Sequence, residues 1–522
     1  MPTDFECKLA AASIPLSHAW EHTVGSGRAM LALRADWREQ LRRAHFDLGL
    51  RHVRFHGMLD DDMGTLICLN DQLHYSFFNI DSIFDYLLSI GMQPFAELSF
   101  MPATLASGDT TVFRYRGNVT PPRDHRQWGA LIDKLVRHWV DRYGAREVSQ
   151  WCLEVWNEPN LKAFWTGGKK GYYDLYRTTV QAIKNIDPGL KVGGPSSAQN
   201  AWIPEFLAHC EKHRLPVDFV STHYYPTDVF GKIGADTLTQ LEHAPRDVMR
   251  QRAEEAHSQA RGLPLYYTEW NMSSNPRDPL HDQSFAAAYA ANIALSVDPL
   301  VSGYSFWTFT DIFDEKYFPS VPFHGGFGML NLHGVPKPVY RAFELLHGLG
   351  NCLYPVRGSH DTVDVWVSGG DGCVTVFVTN YAMPRHKIAA ESVRVRLVGA
   401  RRPVSALLSR IDEDHANPRR AWQEMGEPDY PSPPQVETLH AASALRPQVH
   451  PLRVAEGRIE FELVMPPQSV AALKIELAGF VALATGGCDS GDDKCQSLRL
   501  GGFALPTHKT GRQTTSRCSP SA

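Results

Sequence analysis

Gln150-Trp151-Cys152-Leu153-Glu154-Val155-Trp156 followed by Asn157-Glu158-Pro159-Asn160 reads as an apolar, aromatic-rich strand over 150–156 that breaks into a polar turn. A second stretch repeats the design: Leu265-Tyr266-Tyr267-Thr268-Glu269-Trp270-Asn271 again carries a glutamate where strand gives way to loop. Around these two, short β-type runs alternate with longer helical ones from about residue 19 to 350, with further strands expected at 19–24, 51–56, 93–98, 190–194, 217–223 and 302–309. Between them Trp37, Leu41, Ala44 and Leu48 share one helix face, as do Trp128, Leu131, Leu135, Val136 and Trp139, and Gly49, Gly91 and Gly144 follow as stop signals. Eight parallel strand-helix units close naturally into a barrel. An open doubly wound sheet would want a Gly-rich phosphate turn after its first strand, and Gly25-Ser26-Gly27 lacks the third glycine.

The texture changes after residue 350. Thr362 to Val367, Cys373 to Val378 and Val393 to Leu397 alternate with period two, and Arg458 to Leu463 and Val470 to Leu477 continue the pattern, as expected for antiparallel strands of a β-sandwich. The expected organisation is therefore α/β: a (β/α)8 TIM barrel over 1–350, a C-terminal β-sandwich accessory domain over 351–478, and a mobile tail over 479–522, where apolar periodicity is lost.

A net charge of −5 without a basic block argues against a nucleic-acid partner. No run of 18 apolar residues suggests a membrane span, and Asp4, Glu6 and Lys8 stand where a secretory leader would be basic and then apolar. Nine scattered cysteines without C-x-x-C pairs fit free thiols, and a cytoplasmic location is expected. His209 and His213 lack the glutamate of a zinc motif, and Asp60-Asp61-Asp62 reads as a hydrated loop, so no metal is expected.

Catalytic groups of a barrel sit at the carboxyl ends of its strands. Glu158 and Glu269 both do, about three units apart at roughly 35 residues per unit, so their ends face each other across the mouth. Two such carboxyls can cleave a glycosidic bond. Glu269 would attack the anomeric carbon while Glu158 acts first as acid and then as base, provided the groups lie about 5–5.5 Å apart; an inverting enzyme needs about 6.5–9.5 Å. Either glutamate could instead be a structural partner of an arginine. Arg54, His56, Asn157, His223, Tyr225 and Trp307 are polar or aromatic groups aimed where the pocket should be, although each could equally serve the framework.

These residues resemble those of glycoside hydrolase family 39, and within it the bacterial β-xylosidases. The resemblance rests on Val24 to Arg28, Arg54 to Gly57 with Asp61-Asp62, Phe95 to Pro102, Gly117 to Pro122, Trp156 to Trp165, Lys191 to Pro195, Val217 to His223, Thr268 to Asn271, Phe306 to Phe313, Pro322 to Leu330 and Arg410 to Pro418. It implies a retaining, exo-acting enzyme without cofactor, with Glu158 as acid/base and Glu269 as nucleophile. By the same resemblance Arg54, His56, Asn157, His223, Tyr225, Trp307 and Glu315 line the sugar pocket. One departure is visible: Asp314-Glu315 replaces two consecutive glutamates at the pocket edge, which could alter a hydroxyl contact. A small oligosaccharide substrate follows, with release of xylose from xylo-oligosaccharides. The resemblance leaves a homo-oligomer open, since similar xylosidases are often tetramers, but the sequence does not give the oligomeric state. Another glycone (galactose, glucose, arabinose or iduronate) and a non-catalytic carbohydrate-binding protein remain as alternatives.

Overall fold

The computed structural model describes residues 2–228, 236–370 and 372–479; the tail expected over 479–522 lies, but for Gly479, outside them. Eight parallel strands close into a barrel: Thr23–Arg28, His52–His56, Gln93–Leu98, Cys152–Val155, Lys191–Ala198, Phe219–Tyr224, Leu265–Trp270 and Gly303–Phe306. They lie in chain order around the ring, the eighth pairing with the first through Phe306 and Val24. Each is followed by an outer helix, from Ala35–Leu48 after the first to Pro338–His347 after the eighth. The faces expected from periodicity are the ones buried, including Trp37, Leu41, Ala44 and Leu48 on the first helix and Trp128, Leu131, Leu135, Val136 and Trp139 on the third.

The first strand departs from its expected place. Ala19–Glu21 is a 3-10 turn, and the strand begins at Thr23 to include Gly25-Ser26-Gly27. These small residues are packing devices: a Cβ on Gly25 would lie 2.4 Å from Cε3 of Trp307, and one on Gly27 2.9 Å from Cδ2 of Phe313. Their lack of side chains lets two aromatic rings close the barrel seam.

Beyond the barrel, two sheets pack face to face over a core that includes Phe5, Val367, Val376, Val395, Leu397, Phe461, Leu473 and Ile475, the sandwich expected from period-two alternation. Its membership corrects the boundary drawn at residues 1–350. Thr3–Lys8 runs parallel to Glu391–Val398 and antiparallel to Val356–Arg357, inside one sandwich sheet, and Ile14–Pro15 edges the other. The chain thus begins in the sandwich and then enters the barrel. Helix Ser284–Val297 explains why the two halves form one compact unit. Its alanine-rich sequence is buried almost all round, as a helix without a polar face must be, and Asn292 Nδ2 donates to Asp364 Oδ2 of the sandwich at 2.7 Å. Arg246 adds hydrogen bonds to the carbonyls of Tyr381 (2.9 Å) and Thr362 (3.0 Å). None of the described helices is long and apolar enough to cross a membrane.

Candidate active site

The carboxyl ends of the barrel strands open into a cavity of about 550 Å³, within the range that accommodates a ligand of a few rings. Glu158 and Glu269 meet there. One ligand atom from each of Glu158, His223 and Glu269 lies within 4.8 Å of the others, a close approach of the kind a retaining pair uses, whose carboxyl groups lie about 5–5.5 Å apart. The loop after the fourth strand is bent to achieve this: Trp156 and Glu158 adopt φ of 73° and 43°, a left-handed conformation unfavourable for bulky side chains. The Glu158 N–H donates to the Ser196 carbonyl at 2.8 Å, which anchors the bend. The sixth and seventh strands carry register shifts at Thr222/His223 and Tyr267/Trp270, bulges that re-aim side chains at the mouth.

Beneath the floor, Arg54 is fully buried and reaches five partners, of which Ser196 Oγ at 3.4 Å is the most distant. Its Nε donates to Glu154 (2.6 Å), its Nη1 to Glu269 (2.8 Å), and its Nη2 to Asn157 (2.9 Å) while pairing with Glu97 (2.7 Å). Burial works against the guanidinium charge, but Glu154, Glu97 and Glu269 outweigh it and raise its pKa. His56 hydrogen-bonds Glu97 through Nδ1 at 2.8 Å and faces Glu269 with Nε2 at 3.5 Å. Burial would depress it, yet the charge of Glu97 and then of Glu269 raises its pKa overall. Tyr225 donates its hydroxyl to the second oxygen of Glu269 at 3.0 Å.

This surrounding separates the two glutamates. Burial first, and the neighbouring charge of Glu269 next, push Glu158 well above the ordinary carboxylate range. Burial raises Glu269 as well, but Arg54 and His56 oppose it, and donors from Arg54 and Tyr225 bind both its oxygens. Of the pair, Glu158 therefore keeps the proton and Glu269 the charge. His223 contacts Glu158 through Nδ1 at 3.0 Å; burial, then Arg54 and His56, hold its pKa far down, so the ring is neutral.

The cavity wall is formed by His56, Asn157, Tyr225, Trp307 and Glu315 around the carboxylates, and by Phe113, Leu161 and Phe164 further out. The Trp307 and His56 rings lie 4.9 Å apart, giving an aromatic floor against which a sugar face can pack. Burial lifts Glu315 to about 8, with His56 opposing and Glu269 reinforcing, so at neutral pH it can donate to a sugar hydroxyl.

Three expected pocket residues stand elsewhere. Arg54 and His223 lie below the floor, where they act on the carboxylates. Asp314 turns away from the cavity to accept from Arg28 Nε at 3.2 Å and Nη2 at 3.1 Å, and Arg28 also binds Asp62. The shorter side chain at the pocket edge thus serves an ion pair. Sequence reasoning passed over Glu97, Glu154 and Thr268. A signal existed, since an acidic residue inside an otherwise apolar buried strand must have a charged or hydrogen-bonding partner. It also passed over Phe113 and Phe164, which sit in loops without periodicity.

Among the described residues Glu158, His223 and Glu269 form the cluster whose atoms could close on a cation, but the charge of Glu269 is already met by Arg54. His209, stacked on Tyr173 with ring centroids 4.3 Å apart, belongs to the outer helix Ile203–His213, away from the mouth.

Comparison with known proteins agrees with this chemistry. The family described as Glycosyl hydrolases family 39 matches residues 5–459. The chain belongs to glycosyl hydrolase family 39. It is 45% identical over 463 residues to a β-xylosidase of Caldicellulosiruptor saccharolyticus, covering 88% of this chain and 95% of that protein. Identity to a Geobacillus stearothermophilus β-xylosidase is 37% over 472 residues, with 88% and 92% covered. A crystal structure of a monomeric β-xylosidase from Caulobacter crescentus CB15 superimposes with a TM-score of 0.82 at 32% identity, covering 91% of this chain and all of that one. As a family 39 glycoside hydrolase, the chain is a retaining enzyme, and Glu158 and Glu269 are the two carboxyls brought together in its cavity. Retaining chemistry asks a carboxylate to bond to the anomeric carbon as a carboxylic acid protonates the departing oxygen, and the ionised acid then to take a proton from water as water displaces the first group; a charged Glu269 and a protonated Glu158 suit those two tasks.

Proposed function

We propose that this glycosidase is a β-xylosidase that releases xylose from the ends of short xylo-oligosaccharides in the cytoplasm. The observation that carries the reading is the Glu158–Glu269 pair within one small cavity, in a chain that is 45% identical to a β-xylosidase along nearly its whole length. The loop bearing Phe113 walls one side: the Arg114 N–H donates to the Glu315 carbonyl at 2.7 Å, leaving a pocket suited to one terminal sugar with its leaving group toward Phe113 and Phe164. Free cysteines at 7, 68, 152, 210, 352 and 373 suit a reducing compartment. Turnover on a panel of p-nitrophenyl glycosides tests the assignment. A preference of kcat/KM for β-xyloside over β-galactoside, β-glucoside, arabinosides and iduronide supports it; preference for another glycone reassigns the sugar, and no turnover on any member contradicts enzymatic function.

A further inference from the structure

Below the acid, a chain of four side chains has a fixed hydrogen-bond direction. Arg54 Nε donates to Glu154 Oε2 at 2.6 Å, and Thr268 Oγ1 donates to the other oxygen, Oε1, at 2.8 Å. Glu154, held by the guanidinium, has only lone pairs to offer Thr268. The threonine's one hydroxyl proton is thereby committed. What Thr268 can present to His223 Nε2, 3.1 Å away, is a lone pair, so Nε2 must carry the hydrogen. In a neutral imidazole the other nitrogen is then bare. That nitrogen, Nδ1, is the atom 3.0 Å from Glu158 Oε1, and two lone pairs do not approach to that distance without a proton between them.

We propose that Thr268, oriented by Glu154, locks His223 in its Nε2–H tautomer, and that the bare Nδ1 thereby holds the catalytic proton on Glu158. Thr268 and Glu154 are positioning residues in this scheme, since neither lines the cavity. In the empty site Glu158 donates to Nδ1, and an incoming glycosidic oxygen competes for that proton. Once the proton has left, the Glu158 carboxylate faces a nitrogen lone pair, which makes it a stronger base toward the water of the second step. The opposite tautomer would donate to Glu158, favour its charge and weaken both roles. The other charged or titratable groups facing Glu158 are Glu269, Arg54, Glu315 and Asp228; Arg54 and His56 face His223. They set the background on which the tautomer acts, and Arg54 keeps its bonds to Glu97, Asn157 and Glu269 when the Thr268 hydroxyl is removed from Glu154.

The inference rests on Glu158 being the acid of the proposed reaction, and the test separates the two. Thr268→Val and Thr268→Ser are compared with the parent enzyme on xylobiose, whose leaving group needs a proton, and on 2,4-dinitrophenyl xyloside, whose leaving group does not. For Thr268→Val, kcat/KM on xylobiose should fall at least about tenfold, a part of the roughly 10²–10⁴ that general acid catalysis contributes. The dinitrophenyl substrate should change less than about threefold, and the alkaline limb of the xylobiose pH profile should move about one unit toward acid. Thr268→Ser should restore both. Long-range ¹H–¹⁵N spectra of the parent enzyme, with His223 assigned through His223→Gln, should show the Nε2–H tautomer, and this measurement stands even if Thr268→Val fails to fold. An Nδ1–H or doubly protonated ring in the parent, an unshifted alkaline limb in Thr268→Val, or equal losses on both substrates would overturn the proposal. Parent enzyme inactive on every glycoside would instead remove the reading on which it rests.

Discussion

At the scale of single residues, the site works by giving similar groups dissimilar surroundings. Glu158 and Glu269 are both carboxyls in one cavity, yet Arg54 and Tyr225 bind the second while the first faces a neutral imidazole. The same contrast governs Asp60, which accepts from the Phe100 N–H at 3.2 Å with one oxygen and has no partner at the other. Burial, reinforced by the charge of Asp62, pushes it up from 3.8 to about 7. The folded protein therefore holds a proton that the unfolded chain has lost between about pH 4 and 7, and stability falls as pH rises through that window. Asp60→Asn should remove this penalty, which is on the order of 4 kcal/mol when fully developed. Its melting temperature should gain on the parent's from pH 4 to 7 and keep that lead above it; a difference that does not vary with pH would count against the assignment. That Glu158 and Glu269 would meet in the cavity was legible in the sequence because both stand at strand ends, beside breaks in apolar pattern. The Arg28–Asp314 pair was not, because its partners are 286 residues apart and nothing in either neighbourhood announces the other.

At the scale of elements, strands and outer helices were readable from periodicity, whereas long loops were not. The connection after the eighth strand illustrates why. Its shape comes from backbone closure: the Asp311 N–H donates to the Leu330 carbonyl at 2.8 Å, the Leu330 N–H to the Phe309 carbonyl at 2.9 Å, and the Gly328 N–H to Asp311 Oδ1 at 2.7 Å. Buried Lys337 then ties Asp311 to Asp282, 2.7 Å from each. A Cβ on Gly328 would lie 2.2 Å from the Asp311 nitrogen and 2.3 Å from the Thr310 carbonyl carbon, both backbone atoms that no rotamer change can move. Gly328→Ala should cost about 1–3 kcal/mol through overpacking and displace Glu315, raising KM for xylosides more than it lowers kcat. Unchanged KM would show that this closure does not position the pocket edge.

At the scale of the whole molecule, barrel and sandwich share one helix, and the sandwich draws strands from both sides of the barrel in the described chain. The N-terminal strand carried its own signal, since Phe5 and Cys7 alternate with Asp4, Glu6 and Lys8, but period two says only that a strand exists and not which sheet receives it. Its pairing with Glu391–Val398 makes the sandwich dependent on residues that precede the barrel. Phe5 is 3% exposed in that sheet's core, and Phe5→Ala should destabilise by about 3–5 kcal/mol. Because Ser284–Val297 is packed by both halves, calorimetry should show one transition at lower temperature; a sandwich that melts ahead of an intact, active barrel would contradict this coupling.

In the proposed reaction Glu269 carries the sugar as a covalent ester while Glu158 gives and takes the protons. Incubation with 2,4-dinitrophenyl 2-deoxy-2-fluoro-β-xyloside, which slows the second displacement, followed by peptide mass spectrometry tests it most directly. A fluoroxylosyl ester on Glu269, formed with loss of activity and absent in Glu269→Gln, is the predicted result. Inactivation with the label on any other residue, or steady turnover that never accumulates an ester, would contradict it.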